Sequence, residues 1–380
     1  MIYLDNAATT FPKPDSVYEA MDKMNRCGAV NAGRGSYKLA QEASRLISDT
    51  KQNIRGILHA NADSAVVFTS SVTIAMNQIA NGLCVRENAV VYVSPYEHNA
   101  VARTVHHLSK IKGWQIKEIP INPQTFEIDL EKMKYEFSKD NPEIVFCTHV
   151  SNVTGYILPV AQIFEEAKRY KSITILDTAQ SLGLIEVRVD RIEADIIAFA
   201  GHKTLYGPFG IGGFVNVSHI PLDVFITGGT GSDSLNLDMP DGSESKFEAA
   251  SSNIVAIAGL NAALGVIDSE RAFKHEIELT RYLLDKLHEI PEIQISAEYS
   301  EGKQVGIVSF TSEQYNSDEL GMILSEDFDI AVRTGYHCAP FIHKYLKDEK
   351  KLGTVRVGLS QFNNKTEIDK LIDALREVND

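Results

Sequence analysis

Four side chains in this sequence have the types and spacing for covalent chemistry: Asp177, Lys203, Cys338 and Arg356. Lys203 lies in Phe199-Ala200-Gly201-His202-Lys203-Thr204, directly after the apolar run Ile196-Ile197-Ala198-Phe199. An amine presented at the end of a buried strand can form a Schiff base with an aldehyde cofactor. Asp177 closes the run Ile173-Thr174-Ile175-Leu176 and lies 26 residues before Lys203. That spacing is one strand–helix–strand crossover, which brings both side chains to the same edge of a parallel sheet. A carboxylate there can keep a pyridinium nitrogen protonated and so make the ring an electron sink. Taken singly, Lys203 reads more simply as a surface lysine in a glycine-rich loop, and Asp177 as a helix N-cap.

Cys338 sits in Arg333-Thr334-Gly335-Tyr336-His337-Cys338-Ala339-Pro340, a loop-forming stretch. A structural cysteine more often lies inside an apolar element, as Cys147 does, whereas Arg333 and His337 stand close enough in sequence to Cys338 to favour its thiolate. Arg356 alternates with Val355 and Val357 and therefore points away from their apolar face. A guanidinium there can hold a substrate carboxylate bidentately, or be an ordinary exposed strand arginine. His98, after Val90-Val91-Tyr92-Val93, can stack on an aromatic cofactor or shuttle protons. Phe68-Thr69-Ser70-Ser71-Val72-Thr73 leads into a helical stretch whose free amides and hydroxyls suit a phosphate, although capping explains the same residues. Asn152, in Ser151-Asn152-Val153-Thr154-Gly155, follows another apolar run and can equally be a turn residue.

These groups need a scaffold. The runs Val66–Phe68, Val90–Val93, Ile144–Phe146, Ile173–Leu176 and Ile196–Phe199 alternate with helical patterns, including the stripe Leu130, Met133, Phe137. Continuous apolar strands separated by helices predict a parallel sheet covered on both faces, with ligands beyond the carboxyl ends of its strands. Two helices precede it. The first is capped by Asp15 and Ser16 and ended by Gly28, and the second carries Leu39, Ala43, Leu46, Ile54 and Ile57. Residues 222–252, rich in Gly, Ser and Asp, form an excursion. An apolar helix over 254–267 and a charged helix from Asp268 to about Glu289 follow, then strands at 293–296, 305–310, 330–333 and 355–359. A helix carrying Leu320 and Leu324 falls among these strands, and one opened by Asn364 and Glu367 closes the chain. The expected fold is α/β: a large mainly parallel-sheet domain over 15–255, and a smaller α+β domain built from 1–14 and 256–380.

Composition narrows the field. The 380 residues, 44% hydrophobic and 23% charged, suit a globular protein of two domains. A net charge of −14 repels polyanions, so neither a nucleic acid nor a membrane surface is an expected partner. Cys27, Cys84, Cys147 and Cys338 lie far apart with no zinc spacing, which predicts no metal and reduced thiols. The first residues lack the basic and apolar pattern of a secretory signal, so the expected location is cytoplasmic.

Seven motifs occur in order from end to end. They are Tyr3-Leu4-Asp5-Asn6-Ala7-Ala8, Glu97-His98, Ser151-Asn152-Val153-x-Gly155, Asp177-x-x-Gln180, Gly201-His202-Lys203, Phe247-Glu248-Ala249 and Arg333-Thr334-Gly335-x-His337-Cys338. Together they resemble the class V aminotransferase group of pyridoxal-phosphate enzymes, and within it the cysteine desulfurase and selenocysteine lyase branch. The resemblance implies the fold type I architecture of PLP-dependent transferases, pyridoxal 5′-phosphate as cofactor, and a homodimer with active sites at the subunit interface. It also implies residue roles. Lys203 would carry the cofactor, Asp177 would pair with its ring nitrogen, and His98 would stack on the ring. Gln180 and Asn152 would lie near the phenolic oxygen, Asn152 near the substrate as well. Val72, Thr73 and His202 would hold the phosphate, with Ser251 reaching it from the neighbouring subunit. Arg356 would bind the substrate carboxylate. Cys338 would take sulfur from L-cysteine, leaving L-alanine and a persulfide for an acceptor protein, as in iron–sulfur cluster biogenesis.

Three positions depart from the family pattern: Ala200 replaces a Ser or Thr, Val72-Thr73 a small residue plus Thr, and Ala250-Ser251 a Gly-Thr. The first removes a phosphate hydrogen bond worth roughly 1.5–3 kcal/mol, for which Thr230 or Ser232 would have to compensate. Selenocysteine lyase, cysteine sulfinate lyase, epimerase and aminotransferase chemistry would use the same lysine and aspartate. A non-catalytic scaffold would have no need of Lys203, Asp177, Arg356 and Cys338 together. The desulfurase reading also requires the Cys338 loop to approach the substrate and then turn outward, so the loop is expected to move.

Overall fold

The structure is a computed structural model that describes residues 1–32, 35–231, 235–242, 244–300 and 302–379. Ser232 therefore lies outside the described residues. A short strand, β1 (Ile2–Tyr3), opens the chain. The large sheet then takes β2 (Ala65–Thr69), β3 (Val90–Val93), β4 (Gln115–Glu118), β5 (Ile144–Thr148), β6 (Ile173–Asp177), β7 (Ile196–Ala200) and β8 (Gly212–Asn216). Their order across it is β2-β8-β7-β6-β5-β3-β4. β8 runs antiparallel to both neighbours, and every other pairing is parallel.

The five apolar runs of the sequence are β2, β3, β5, β6 and β7; β4 and β8 lack the pattern for different reasons. β4 is an edge strand with polar Gln115, Lys117 and Glu118, so it lacks the apolar run of a buried strand. β8 opens with Gly212-Gly213, which reads as a turn. Both glycines are packing requirements: a Cβ on Gly213 would lie 2.2 Å from the Val67 carbonyl, and one on Gly212 2.9 Å from that of Phe199.

Helices cover both faces of this sheet. They are α1 (Asp15–Cys27), α2 (Lys38–Leu58), α3 (Val72–Gly82), α4 (Asn99–Ile111), α5 (Leu130–Lys139), α6 (Val160–Lys168), α7 (Val189–Ile192) and α8 (Ile254–Leu264). Along β7, Ile197 and Phe199 join one core with Ile54, Val145 and Leu176, while Ile196 and Ala198 join another with Val101, Phe146 and Ile175. Two-sided burial is why these strands read as unbroken apolar runs. Each large side chain so buried contributes about 1.5–3 kcal/mol. α1 begins at Asp15 without a side-chain cap, so Asp15 acts through its charge in the first turn. α8 is apolar all round, and its Ala256, Ile257 and Leu260 pack into the core beneath the large sheet, although the sequence reading placed it across the boundary in the smaller domain.

The remainder is α9 (Ser269–Leu287), β9 (Ile293–Ile295), β10 (Ile307–Ser312), α10 (Ser317–Glu326), β11 (Ile330–Ala331), β12 (Arg333–Gly335), α11 (His343–Leu346), β13 (Thr354–Gly358) and α12 (Lys365–Asn379). The antiparallel sheet β12-β13-β10-β9 packs Val308, Phe310, Val355 and Val357 against Leu283 of α9 and Leu371 of α12. The single strand expected over 330–333 is two. β11 pairs in parallel with β1, whereas β12 turns into the small sheet and sets Arg333 opposite Arg356. Among the described residues no helix is long and apolar enough to cross a membrane.

Candidate active site

Four loops leave the carboxyl ends of β3, β5, β6 and β7, where an open α/β sheet binds its ligands. They carry Glu97 and His98, His149 to Asn152, Asp177 to Gln180, and Gly201 to Lys203 respectively. Asp177 is buried. Its Oδ1 accepts from the Ala179 amide at 2.9 Å, and burial pushes its carboxyl up while that hydrogen bond and the nearby Lys203 charge pull it down. Lys203 responds in the complementary sense. Desolvation lowers its amine to about 8, assisted by Arg356 and Arg333 and opposed by Asp177 and Cys338. An amine near 8 can act as nucleophile and base at physiological pH.

The N-terminal segment grips the lysine loop, a role that no local sequence pattern marks. The His202 carbonyl accepts from Thr9 Oγ1 at 2.9 Å and Lys13 Nζ at 2.7 Å, and the Lys203 carbonyl from Thr10 Oγ1 at 3.0 Å. Gln180 Nε2 donates to the Ala7 carbonyl at 2.7 Å. Residues 7–13 thus fix the backbone from which Lys203 projects.

His98 is the N-cap of α4. Its Nδ1 accepts from the Ala100 amide at 3.0 Å, which leaves the proton on Nε2. Burial, with Lys203 and Arg333 nearby, lowers it to about 3, so the ring is neutral. Beside it, Glu97 is buried and raised to about 8 chiefly by desolvation. Its Oε1 accepts from Ser94 Oγ at 2.5 Å and the Thr148 amide at 2.6 Å, tying the β3 and β5 loops together.

Arg356 is 1% exposed, which rules out the exposed strand arginine. Nη1 donates to the Asn152 carbonyl at 2.9 Å and Nη2 to Asp5 Oδ1 at 2.7 Å, while the buried Nε has no partner. Asn152 turns its own amide to the His337 carbonyl at 2.7 Å, and the Asn99 amide donates to the Cys338 carbonyl at 2.7 Å. These clamps hold two consecutive non-glycine residues in the left-handed region, His337 at φ 45° and Cys338 at φ 58°. Any swing of the loop has to break both.

The half-buried Cys338 Sγ accepts from Arg333 Nη2 at 3.3 Å. His337 plays no such part: it is buried against Thr354 Oγ1 at 2.8 Å and its pKa is driven well down by burial. The charge beside the sulfur is therefore that of Arg333. Outside it opens a cavity of about 930 Å³ lined by Arg103, His106, Tyr336, Phe341 and Lys344.

The phosphate-side candidates are less concentrated. Ser71 Oγ caps the Ile74 amide of α3, and a helix start leaves its earlier amides without intrahelical partners. Val72 is buried and Thr73 exposed on that first turn. The His202 ring stacks on Phe209 at 4.7 Å, and its buried Nδ1 lacks a partner. Ser251 is exposed, on a surface loop bordering a cavity shared with Thr69, Ser70 and Gly210. Ala200 ends β7 as a buried methyl group.

A family model described as aminotransferase class V matches residues 2–371. The chain belongs to that family. This class V aminotransferase is 32% identical to a probable cysteine desulfurase of Halalkalibacterium halodurans, over 100% of this chain and 93% of the relative. It is 31% identical to a cysteine desulfurase of Haloferax volcanii, over 99% and 88%. A solved cysteine desulfurase from Thermococcus onnurineus superposes with a TM-score of 0.91 at 28% identity, covering 99% of this chain and 94% of that one. The cofactor of the family is pyridoxal 5′-phosphate, and the site fits it. It offers an amine of lowered pKa, a buried carboxylate nearby, a neutral imidazole and a buried imidazole nitrogen with no partner.

Proposed function

We propose that this class V aminotransferase is a cysteine desulfurase that converts L-cysteine to L-alanine and carries the sulfur as a persulfide on Cys338. The observation that carries the proposal is the clamped Cys338 loop: it is tied to Asn152 and Asn99, and its thiol lies within electrostatic reach of Lys203. Pyridoxal phosphate, held by Lys203, Asp177, Gln180, His98, Asn152, Val72, Thr73 and His202, supplies an electron sink for the bond changes at the substrate's α-carbon.

The chain's own residues do the rest. Asp177 keeps a negative charge in a buried site and so favours a proton on the group facing it. Lys203 would take the α-proton at Nζ, for which a pKa near 8 is well matched. Arg356 orients the substrate through its carboxylate. Neutral His98 would help to hold the cofactor without adding charge. Cys338 Sγ forms the new S–S bond as the substrate's C–S bond breaks, and the carbon fragment, returned its protons, leaves as alanine. Atoms balance as cysteine plus a thiol giving alanine plus a persulfide. A sulfur-acceptor protein then removes the terminal sulfur.

The exposed position of Ser251, with Leu235 and Leu237 almost fully exposed in the same excursion, supports a homodimer in which that segment meets the partner. The substrate assignment is tested by offering cysteine, selenocysteine and cysteine sulfinate to the purified holoenzyme and following alanine. Cysteine is expected to give alanine together with protein-bound sulfur. Alanine from the other two alone would replace the proposed reaction with a lyase that needs no cysteine nucleophile.

A further inference from the structure

We propose that Asp5 is a built-in occupant of the carboxylate site on Arg356, and that the substrate's carboxylate displaces it on entry. The proposal rests on the reading of Arg356 as the substrate's carboxylate ligand and adds what that ligand does while no substrate is present.

Arg356 is 1% exposed, so water does not solvate its charge, and Arg333 stands opposite it in the strand register. The Lys203 charge lies within electrostatic reach of both guanidinium groups. A guanidinium so placed needs an anion. Asp5 supplies it, with Oδ1 at 2.7 Å from Nη2. The Asp5 backbone is pinned on both sides: the Gly358 amide donates to the Leu4 carbonyl at 2.6 Å and the Asn6 amide to the Gly358 carbonyl at 3.1 Å. The carboxylate is thereby kept at high effective concentration beside Arg356.

The contact is nevertheless incomplete. Asp5 takes one donor of the guanidinium fork, Asn152 takes Nη1, and Nε is buried with no partner. A carboxylate that took Nη2 and Nε together would bond bidentately and satisfy the orphan, giving an incoming ligand an advantage over Asp5. The two partners also differ in freedom. The Asp5 side chain is 21% exposed and can turn to water, while that of Arg356 at 1% cannot. Exchange of one carboxylate for another leaves the net charge of the site unchanged. A neutral ligand that displaced Asp5 would leave the guanidinium unpaired, so the arrangement selects for an anionic headgroup.

The probe is 3-mercaptopropionate, which has the carboxylate and thiol of cysteine but no amine, with 3-mercaptopropanamide as the neutral control. Dissociation constants are measured by calorimetry on the holoenzyme. Asp5→Asn removes the competing charge and is expected to tighten binding of the acid about five- to tenfold, leaving the amide unchanged. Asp5→Glu, which restores a competing charge, should stay close to the parent. Arg356→Gln should abolish the preference for acid over amide. If Arg356→Gln keeps that preference, the assignment of Arg356 itself fails. If Arg356→Gln loses it but Asp5→Asn binds the acid no more tightly than the parent, Arg356 stands and the role of Asp5 is overturned. A crystal structure of the unmodified protein with the acid bound decides the matter without a variant. Asp5 should have left Nη2, and acid bound beside an intact Asp5–Arg356 contact would contradict the proposal.

Discussion

Lys203 draws its chemistry from its surroundings. Enclosure by the strand ends lowers its amine from 10.5 to about 8, because desolvation and two guanidinium groups outweigh Asp177. At pH 7 about a tenth of such an amine is neutral, against less than about a thousandth at the ordinary value. Capture of pyridoxal phosphate by cofactor-free protein should therefore accelerate as pH rises through about 8 and level off above it. Stopped-flow absorbance would show this, and a rate still climbing steeply past pH 9 would mean the amine is not depressed. Lys203 and Asp177 are legible in the sequence because each ends or follows an apolar run, Arg356 because it interrupts one, and Cys338 because it stands in a loop instead of an apolar element. Asp5, Thr9, Thr10 and Lys13 were not read as site residues. They act through hydrogen bonds to residues some 190 or more positions away, and no local pattern records such partners.

At the scale of elements, the excursion between β8 and α8 turns out to be a cover for the sheet's edge. β2 is the outer strand on that side, and an open row of amides invites unwanted pairing. Glu244 Oε1 accepts from the Val66 amide at 2.9 Å and Glu248 Oε1 from the Phe68 amide at 2.7 Å. Lys51 of α2 then bridges both carboxylates at 2.9 Å. This explains Phe247-Glu248-Ala249 as a structural motif: it ties the segment carrying Ser251 to β2. Glu248→Ala leaves the Phe68 amide and half of the Lys51 pairing unmet and should lower stability by about 1–3 kcal/mol. Chemical denaturation measures it, and an unchanged midpoint would mean that water replaces the carboxylate without loss. The excursion was recognisable by composition alone. Its function was not, since capping a strand edge with side chains leaves no periodicity to read.

At the scale of the molecule, the two sheets contribute to one candidate site. The large sheet brings Lys203, Asp177, His98 and Asn152, while the small sheet brings Arg333, Cys338 and Arg356. The alternation of apolar strands and helices predicted the parallel sheet, because burial on both faces writes itself into sequence. The placement of α8 was harder, since a helix apolar all round does not say which core it enters. The exposed Leu235, Leu237 and Ser251 lead to a prediction for the assembly. Light scattering after gel filtration should report twice the mass of one chain, and a monomer at active concentrations would leave Ser251 without a phosphate to reach.

The proposed reaction turns on Cys338 taking the sulfur. Its most direct test is a single turnover of the holoenzyme with L-cysteine and no reductant, followed by peptide mass analysis. One alanine per active site is expected, with a gain of one sulfur atom on the peptide containing Cys338. The Cys338→Ser protein should bind cofactor and substrate yet acquire no sulfur. Alanine and sulfide formed at the parent rate by Cys338→Ser, or sulfur found on Cys27, Cys84 or Cys147 instead, would contradict it.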